Sequence, residues 1–273
     1  MNNKNKVLKR IVLFTLIMSI ICLIVMLVGT FLTQRSKYVI DLGTMELVQL
    51  DEKIEDGTPI AIIDTTLGEI RAVLYPEYAP EAVKNFTELA ESGYYDNTYV
   101  FHSEKGVYSA AGCPNKDGSL SDGYDQSREL VKRETHQNLW PLKGALCSLT
   151  TTFDQTFIQK FTGGGTYYCG SRFALLNTAE VTKEVTDEIY KLSESEELSS
   201  AFADKGGIPA FAQNISIFGQ AYKGLDVIEA LSNLETEEKT EQATKPPVED
   251  IRIISVKIGT YSAEEEKTSS ENK

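Results

Sequence analysis

The sequence predicts a mainly β domain, an antiparallel sheet or barrel capped by helices, standing behind a single transmembrane helix. Three observations carry that expectation. Many short runs rich in β-branched and aromatic residues are separated by turn signals. Only two or three segments show helical spacing, and strands and helices do not alternate in the βαβ manner. Residues 11–33 form an uncharged run, "IVLFTLIMSIICLIVMLVGTFLT", longer than the roughly 20 apolar residues that span a bilayer core.

Lys4, Lys6, Lys9 and Arg10 precede that run, which predicts a cytoplasmic N-terminus (1–10) and a domain beyond the membrane. A signal-peptide core is shorter and ends at small residues, whereas this run exits through Gly29-Thr30-Phe31-Leu32 with no A-x-A site. Cys22 has further apolar residues behind it, which speaks against lipid modification. The expectation is a single-pass cell-membrane protein. The net charge of -13 argues against nucleic acid as a partner and against adsorption to anionic lipid headgroups.

The elements follow in order. Residues 34–57 are polar enough for a linker, with a short strand expected at "MELVQL" (45–50). The domain proper is expected over 58–262. It opens with "PIAIIDT" (59–65) and "GEIRAVLY" (68–75), two β-rich runs separated by Thr66-Leu67, a hairpin. In "APEAVKNFTELAESG", Pro80 near the start and Gly93 after the end bracket a helix whose Ala82, Val83, Phe86, Leu89 and Ala90 form one apolar stripe. "YYDNTYVFH" returns to strand character, and "GALCSLT" (144–150) and "GSRFALLN" (170–177) read as core strands. Residues 178–207 are acidic and helix-prone, a helical insertion. "ISIFGQAYKG" (215–224) gives a strand and turn, "LDVIEALSNL" (225–234) a helix, and "VEDIRIISVKIGTY" (248–261) a closing strand. The charged tail, 263–273, is expected to be disordered.

Chemistry is sparse. With only His102 and His136 and no C-x-x-C, no metal site and no cofactor are expected. There is no G-x-S-x-G elbow, and the Gly-rich stretch 162–170 lacks the Lys-Ser/Thr of a phosphate loop. His102, inside a β run, reads as structural. Cys113, Cys147 and Cys169 are odd in number, so either one pair bridges or all three remain buried thiols.

Residues 59–260 resemble the cyclophilins, a family of peptidyl-prolyl cis-trans isomerases. "TTLGEIRAVLYPEYAPEAVKNFTELAESGYYDNTYVFH" is similar to the family's opening strand, helix, G-Y-Y-D turn and F-H strand. "ETHQNLWPLKGALCSL", "GSRFALL", "ISIFGQAYKGLDVIEAL" and "KPPVEDIRIISVKI" resemble later family segments in the right order. The resemblance implies an eight-stranded antiparallel barrel capped by two helices. It also implies isomerase activity on X-Pro bonds of peptides or unfolded exported proteins. The family's catalytic Arg follows F-H; here that position is Ser103. Phe101, Tyr108, Ala111, Phe173 and Ile215 fall at peptide-binding positions, with Ala111 replacing a Gln and Ile215 a His. Arg172 replaces another Gln and is the candidate for a relocated guanidinium, unless it pairs with a carboxylate. The family's Trp/Phe-Leu-Asp-Gly loop is not recognisable in "IPAFAQNIS". The family fold would also bring Cys113 and Cys169 together as a disulfide. Two readings stand: an isomerase weakened by the loss of Arg, or an inactive peptide-binding or scaffold module on the outer membrane face.

Overall fold

The computed structural model describes Met18 and residues 44–51, 53–120, 131–152, 155–156, 159, 165–237, 244–264 and 266–267. The expected membrane helix lies outside the described residues except for Met18, and no helix among the described residues is long and apolar enough to cross a membrane. From Thr44 onward the chain forms one compact unit.

Its centre is a closed antiparallel barrel. The strands are β1 (Pro59–Thr65), β2 (Gly68–Leu74), β3 (Thr98–Glu104), β4 (Tyr108–Cys113), β5 (Val131–Lys132), β6 (Ala145–Thr152), β7 (Tyr167–Leu176), β8 (Ser216–Lys223) and β9 (Arg252–Thr260). Around the ring the order is β4-β3-β9-β1-β2-β8-β6-β7, and β7 pairs back onto β4. The expected eight-stranded antiparallel barrel is therefore present, with two-residue β5 as an extra strand outside the ring on β7. The first hairpin is tight because Thr65 opposes Gly68 and the Thr65 hydroxyl accepts the Leu67 and Gly68 amides.

Helix α1 (Pro80–Glu91) begins at Pro80, whose missing N–H costs nothing at a first turn. Glu134 accepts the next amides, from Ala82 at 2.8 Å and Glu81 at 3.3 Å, placing a carboxylate on the positive end of the helix. The buried stripe of α1 includes Phe86, whose ring meets Phe218 at 4.9 Å, Tyr95 at 5.2 Å and Phe173 edge-on at 5.5 Å. These four rings fill the barrel, and the Tyr95 hydroxyl is satisfied by the Ser171 carbonyl at 2.9 Å.

The insertion is two helices, α2 (Lys183–Ser193) and α3 (Glu196–Lys205). The chain breaks between them at Glu194, in the left-handed region with φ 54°, and Ser195 caps α3 by accepting the Leu198 amide. Helix α4 (Leu225–Ser232) buries Val227, Ile228 and Leu231 against the barrel.

Several expectations change. Residues 45–50 form no strand; Val48–Leu50 is a 3-10 turn in a strap across the barrel. Gln49 holds the strap: its carbonyl oxygen accepts the Trp140 amide at 2.6 Å, and its amide nitrogen donates to the Trp140 carbonyl and to Gln220. The tail is ordered at its start, because the Glu266 carboxylate accepts bonds from Arg71, Tyr222 and Lys223. The Cys113–Cys169 bridge is not formed. The Cys113 thiol donates to the Ser119 carbonyl in the loop after β4, while that of Cys169 donates to Ser216 on β8. Cys147 is equally enclosed, and burial pushes its thiol pKa up to about 12.

Two measurements test this packing, both using the fluorescence of buried Trp140 to follow denaturant unfolding. Gly207 has φ +136°, and a Cβ there would lie 2.3 Å from the Pro141 carbonyl oxygen. Gly207→Ala is expected to cost about 1–3 kcal/mol. At Glu266, burial raises the pKa, but the hydrogen bonds from Arg71 and Tyr222 and the charges of Arg71 and Lys223 outweigh it, leaving the carboxyl below its ordinary value. A lowered folded pKa contributes stability above the unfolded pKa of about 4.3 that is lost as pH falls through the folded value. Glu266→Gln should therefore be less stable than wild type at pH 7, with the gap closing below about pH 4.

Candidate functional site

The outer face of the barrel at β3, β4 and β7 carries the site, and strand alternation decides which residues reach it. Tyr108 opposes Leu176 and Glu104, Ala110 opposes Ala174 and His102, and Ala111 opposes Phe173. Successive residues of a strand point to opposite faces. Tyr108, Ala110, His102, Glu104, Arg172, Ala174 and Leu176 therefore share the outer face. Ser103, Ser109, Ala111 and Phe173 share the inner one.

Tyr108 is the centre of the outer face. Its ring stacks on His102 with centroids 5.1 Å apart and planes at 22°. Phe211 meets it edge-on at 5.8 Å, from the short 3-10 turn Pro209–Phe211 that follows the insertion. Burial, then the Glu104 carboxylate, hold the Tyr108 phenol above its ordinary pKa, so it remains a neutral donor. Burial is also the main cause that lowers the His102 pKa; Glu104 opposes it and Lys245 adds to it. His102 is therefore neutral at pH 7. Its Nδ1 accepts the Lys245 amide at 2.9 Å, which assigns the proton to Nε2, 3.8 Å from a Glu104 oxygen. A cation does stand beside this face: the Lys245 ammonium, paired with Glu104 at 2.7 Å. The face thus offers a neutral aromatic surface beside a compensated ion pair, suited to an apolar ring such as proline.

The structure separates the residues that the sequence grouped. Phe173 is buried among Phe86 and Tyr95 inside the barrel, so it does not join Tyr108 in one pocket. Ala111 faces inward beside it and is 1% exposed. Phe101 is the extra residue where the β3–β4 register shifts, and its ring is buried where a Cβ on Gly118 would collide with it. Ile215 is half-buried, packed on the core just before β8. Ser103 is 2% exposed, and its hydroxyl donates to the Leu231 carbonyl of α4 at 2.9 Å.

Arg172 lies on the outer face, but four residues along β7 from Leu176, the residue opposite Tyr108. At strand rise this is roughly 13 Å, beyond the reach of one side chain. Its guanidinium donates to the Gly118 carbonyl at 3.1 Å. No carboxylate partner is recorded for it among the described residues, so neither sequence expectation for Arg172, relocated catalyst or ion pair, describes its position. Sequence reasoning missed Phe211, which stands in the unrecognised loop; the signal was the aromatic of "PAF" three residues before "NIS".

Comparisons with known proteins follow this geometry. The model of the cyclophilin type peptidyl-prolyl cis-trans isomerase family matches residues 60–168. A Staphylococcus haemolyticus protein provisionally named a peptidyl-prolyl cis-trans isomerase is 26% identical over 211 residues, spanning 77% of this chain and 96% of the relative. Peptidyl-prolyl cis-trans isomerase 9 of Schizosaccharomyces pombe is 29% identical over 198 residues, which are 72% of this chain and 25% of that protein. A crystal structure of a Cryptosporidium parvum cyclophilin type isomerase shares the fold, with a TM-score of 0.53 at 20% identity over 76% of this chain and 99% of that one. A second structure of that protein, in the presence of the dipeptide Ala-Pro, aligns with a TM-score of 0.51 at 20% identity over 74% of this chain and 99% of that one. The matched family model, the named relatives and the closed barrel all show that residues 60–168, and the fold around them, are similar to the cyclophilin-type peptidyl-prolyl cis-trans isomerases.

Proposed function

We propose that the chain is a slow peptidyl-prolyl isomerase acting on proline-containing segments of exported proteins, held at the outer membrane face by residues 11–33. One observation carries the activity level: the aromatic surface of His102, Tyr108 and Phe211 is assembled, while the family's Arg position is a serine turned inside the barrel. Rotation about an X-Pro bond has a barrier of ~18–20 kcal/mol and takes tens to hundreds of seconds unaided. In the twisted state the amide loses resonance and its nitrogen accepts a hydrogen bond. A guanidinium aimed at that state stabilises it electrostatically. Here the aromatic surface holds the prolyl ring and strips water from the amide, and the aimed charge is missing. The nearby Lys245 ammonium does not replace it, because Glu104 neutralises it.

A second reading has an observation in its favour. Ser103 is tied into the barrel–helix contact, which suits a module that binds proline peptides without accelerating rotation. The Ala-Pro dipeptide named with the Cryptosporidium parvum structure is a ligand class both readings share. Support for the anchor is the uncharged run behind four basic residues, and for the exported clients the topology that this run implies.

Isomer-exchange NMR on a proline tetrapeptide separates the readings. Lacking one aimed donor, the chain should show kcat/KM about 10²–10³ below that of a family member that has the Arg. Tyr108→Ala should remove both peptide binding and the remaining turnover. Exchange at the uncatalysed rate, with peptide still bound, would establish the binding module. Arg172→Ala should change turnover by less than about threefold, since its guanidinium is not at the aromatic surface; a loss of a hundredfold would place it in the reaction.

Ser103→Arg should not restore activity. The substitution would bury an unpaired guanidinium under α4, and the expected result is a loss of about 3 kcal/mol or more in stability with no gain in exchange rate. Protease treatment of intact cells should release the barrel domain. A domain that is protected in sealed cells overturns the proposed topology.

A further inference from the structure

The strongest feature outside the aromatic site lies on the other side of the barrel. In the eight-strand ring, β1 and β2 stand opposite β7 and β4. There, a cavity of about 420 Å³ opens between the strap and the barrel. Val48 and Ile54 line it from the strap, Pro59 from β1, and Val73, Leu74 and Tyr75 from β2 and its end. Its size lies within the range of ligand-binding clefts. Three carboxylates also line it, Asp51, Glu55 and Glu77, against the single cation Lys53. All four charged residues are exposed, and among the described residues none of the three carboxylates has a recorded ion-pair partner.

We propose that this cleft binds the side chain of a lysine or arginine in an extended polypeptide, with an adjacent apolar residue. The division of its walls specifies that occupant. Leu74 is buried at the floor and Val73 and Ile54 are half-buried, while the carboxylates stand at the exposed rim. An apolar floor under an acidic rim matches a side chain with a long aliphatic stem and a charged head, which buries the one and keeps the other wet. Tyr75 and Tyr78, ring centroids 6.3 Å apart, add aromatic surface for a cation. Burial first, then Asp51, hold the Tyr75 phenol well above its ordinary pKa, so it adds no negative charge and can donate a hydrogen bond to a peptide carbonyl. The net acidity of the chain, -13, draws basic segments toward it from a distance. This site does not rest on the isomerase reading. It would hold a basic stretch of a polypeptide whether or not a proline occupies the Tyr108 face.

The test uses the full chain in nonionic detergent, with ¹³C-labelled tyrosine rings observed by NMR. The probe is acetyl-Ala-Leu-Arg-Ala-amide, which has no proline. Saturable shifts are expected at Tyr75 and Tyr78 and not at Tyr108. The same peptide with citrulline, neutral but of the same shape, should bind about fivefold more weakly, the upper end of what an exposed ion pair is worth. Asp51→Asn with Glu77→Gln should weaken the arginine peptide by a similar factor and leave the citrulline peptide unchanged. Both substitutions are at exposed positions, and unchanged Trp140-monitored unfolding confirms that the variant folds. Equal binding of the citrulline peptide, shifts centred on Tyr108, or no saturation would overturn the proposal. Agmatine, the arginine side chain without a peptide, is the last arm: binding as tight as the peptide's would overturn the polypeptide assignment.

Discussion

Closure of the barrel between β4 and β7 is the constraint on which the other features rest. Four residues of β4 pair in unbroken register with four of β7, from Tyr108 opposite Leu176 to Ala111 opposite Phe173. The pairing leaves little room inside, because Phe173 and Tyr95 already fill the space behind it. Gly112 follows at φ +85°, and a Cβ there would stand 2.9 Å from the Tyr95 ring and 3.0 Å from that of Phe173. Small residues at Ser109, Ala110 and Ala111 and a glycine at 112 are what this closure requires. The same pairing sends Phe173 inward and Tyr108 outward. A slip of one residue would exchange the two faces, losing the barrel core and the aromatic site together.

Much of this architecture was legible in the residues, for physical reasons that also explain the gaps. The first hairpin and α1 were readable because their hydrophobic spacing matches their geometry and their ends carry turn and cap residues. Strand β4 has no alternation of large and small side chains, so the residues give no sign of a strand there beyond the positions that the resemblance assigns to Tyr108 and Ala111. The roles of Phe101 and Ser103 were hidden by the register shift in β3. A single extra residue changes which face each neighbour presents, and nothing in "YVFHSE" announces it. The resemblance places Phe173 in the peptide groove by its position in "GSRFALL"; what decides is parity along β7. The strap and the tail were misread for a shared reason. Gln49 and Glu266 look like surface residues until partners distant in sequence, Trp140 and Arg71, come beside them.

The serine at position 103 is more than the absence of a charge. Its hydroxyl meets a carbonyl near the end of α4, and nearby the Asn177 amide donates to Ser232 of the same helix at 2.9 Å. Strand β3, through Ser103, and the residue after β7, Asn177, are joined to α4 by polar contacts that a long cation would displace. Around Tyr108 the outer face carries aromatic residues and one neutralised ion pair, with Arg172 further along β7. Chemistry on this barrel is therefore limited by how its strands are turned, and not by which residue types happen to be nearby.

The strap has a mechanical consequence. Three hydrogen bonds converge on the one side chain of Gln49, two to the backbone of Trp140 and one to Gln220 on β8. Such a joint does not loosen by degrees; when the amide rotates away, all three bonds go together. A pull on the backbone ahead of Thr44 would load the Gln137–Thr44 and Glu46–Asn138 bonds and then this joint before it reached the barrel's own ladder of paired strands. The strap would then give way as a fuse does, sparing the barrel, and with it one wall of the acidic cleft would open while the Tyr108 face kept its shape.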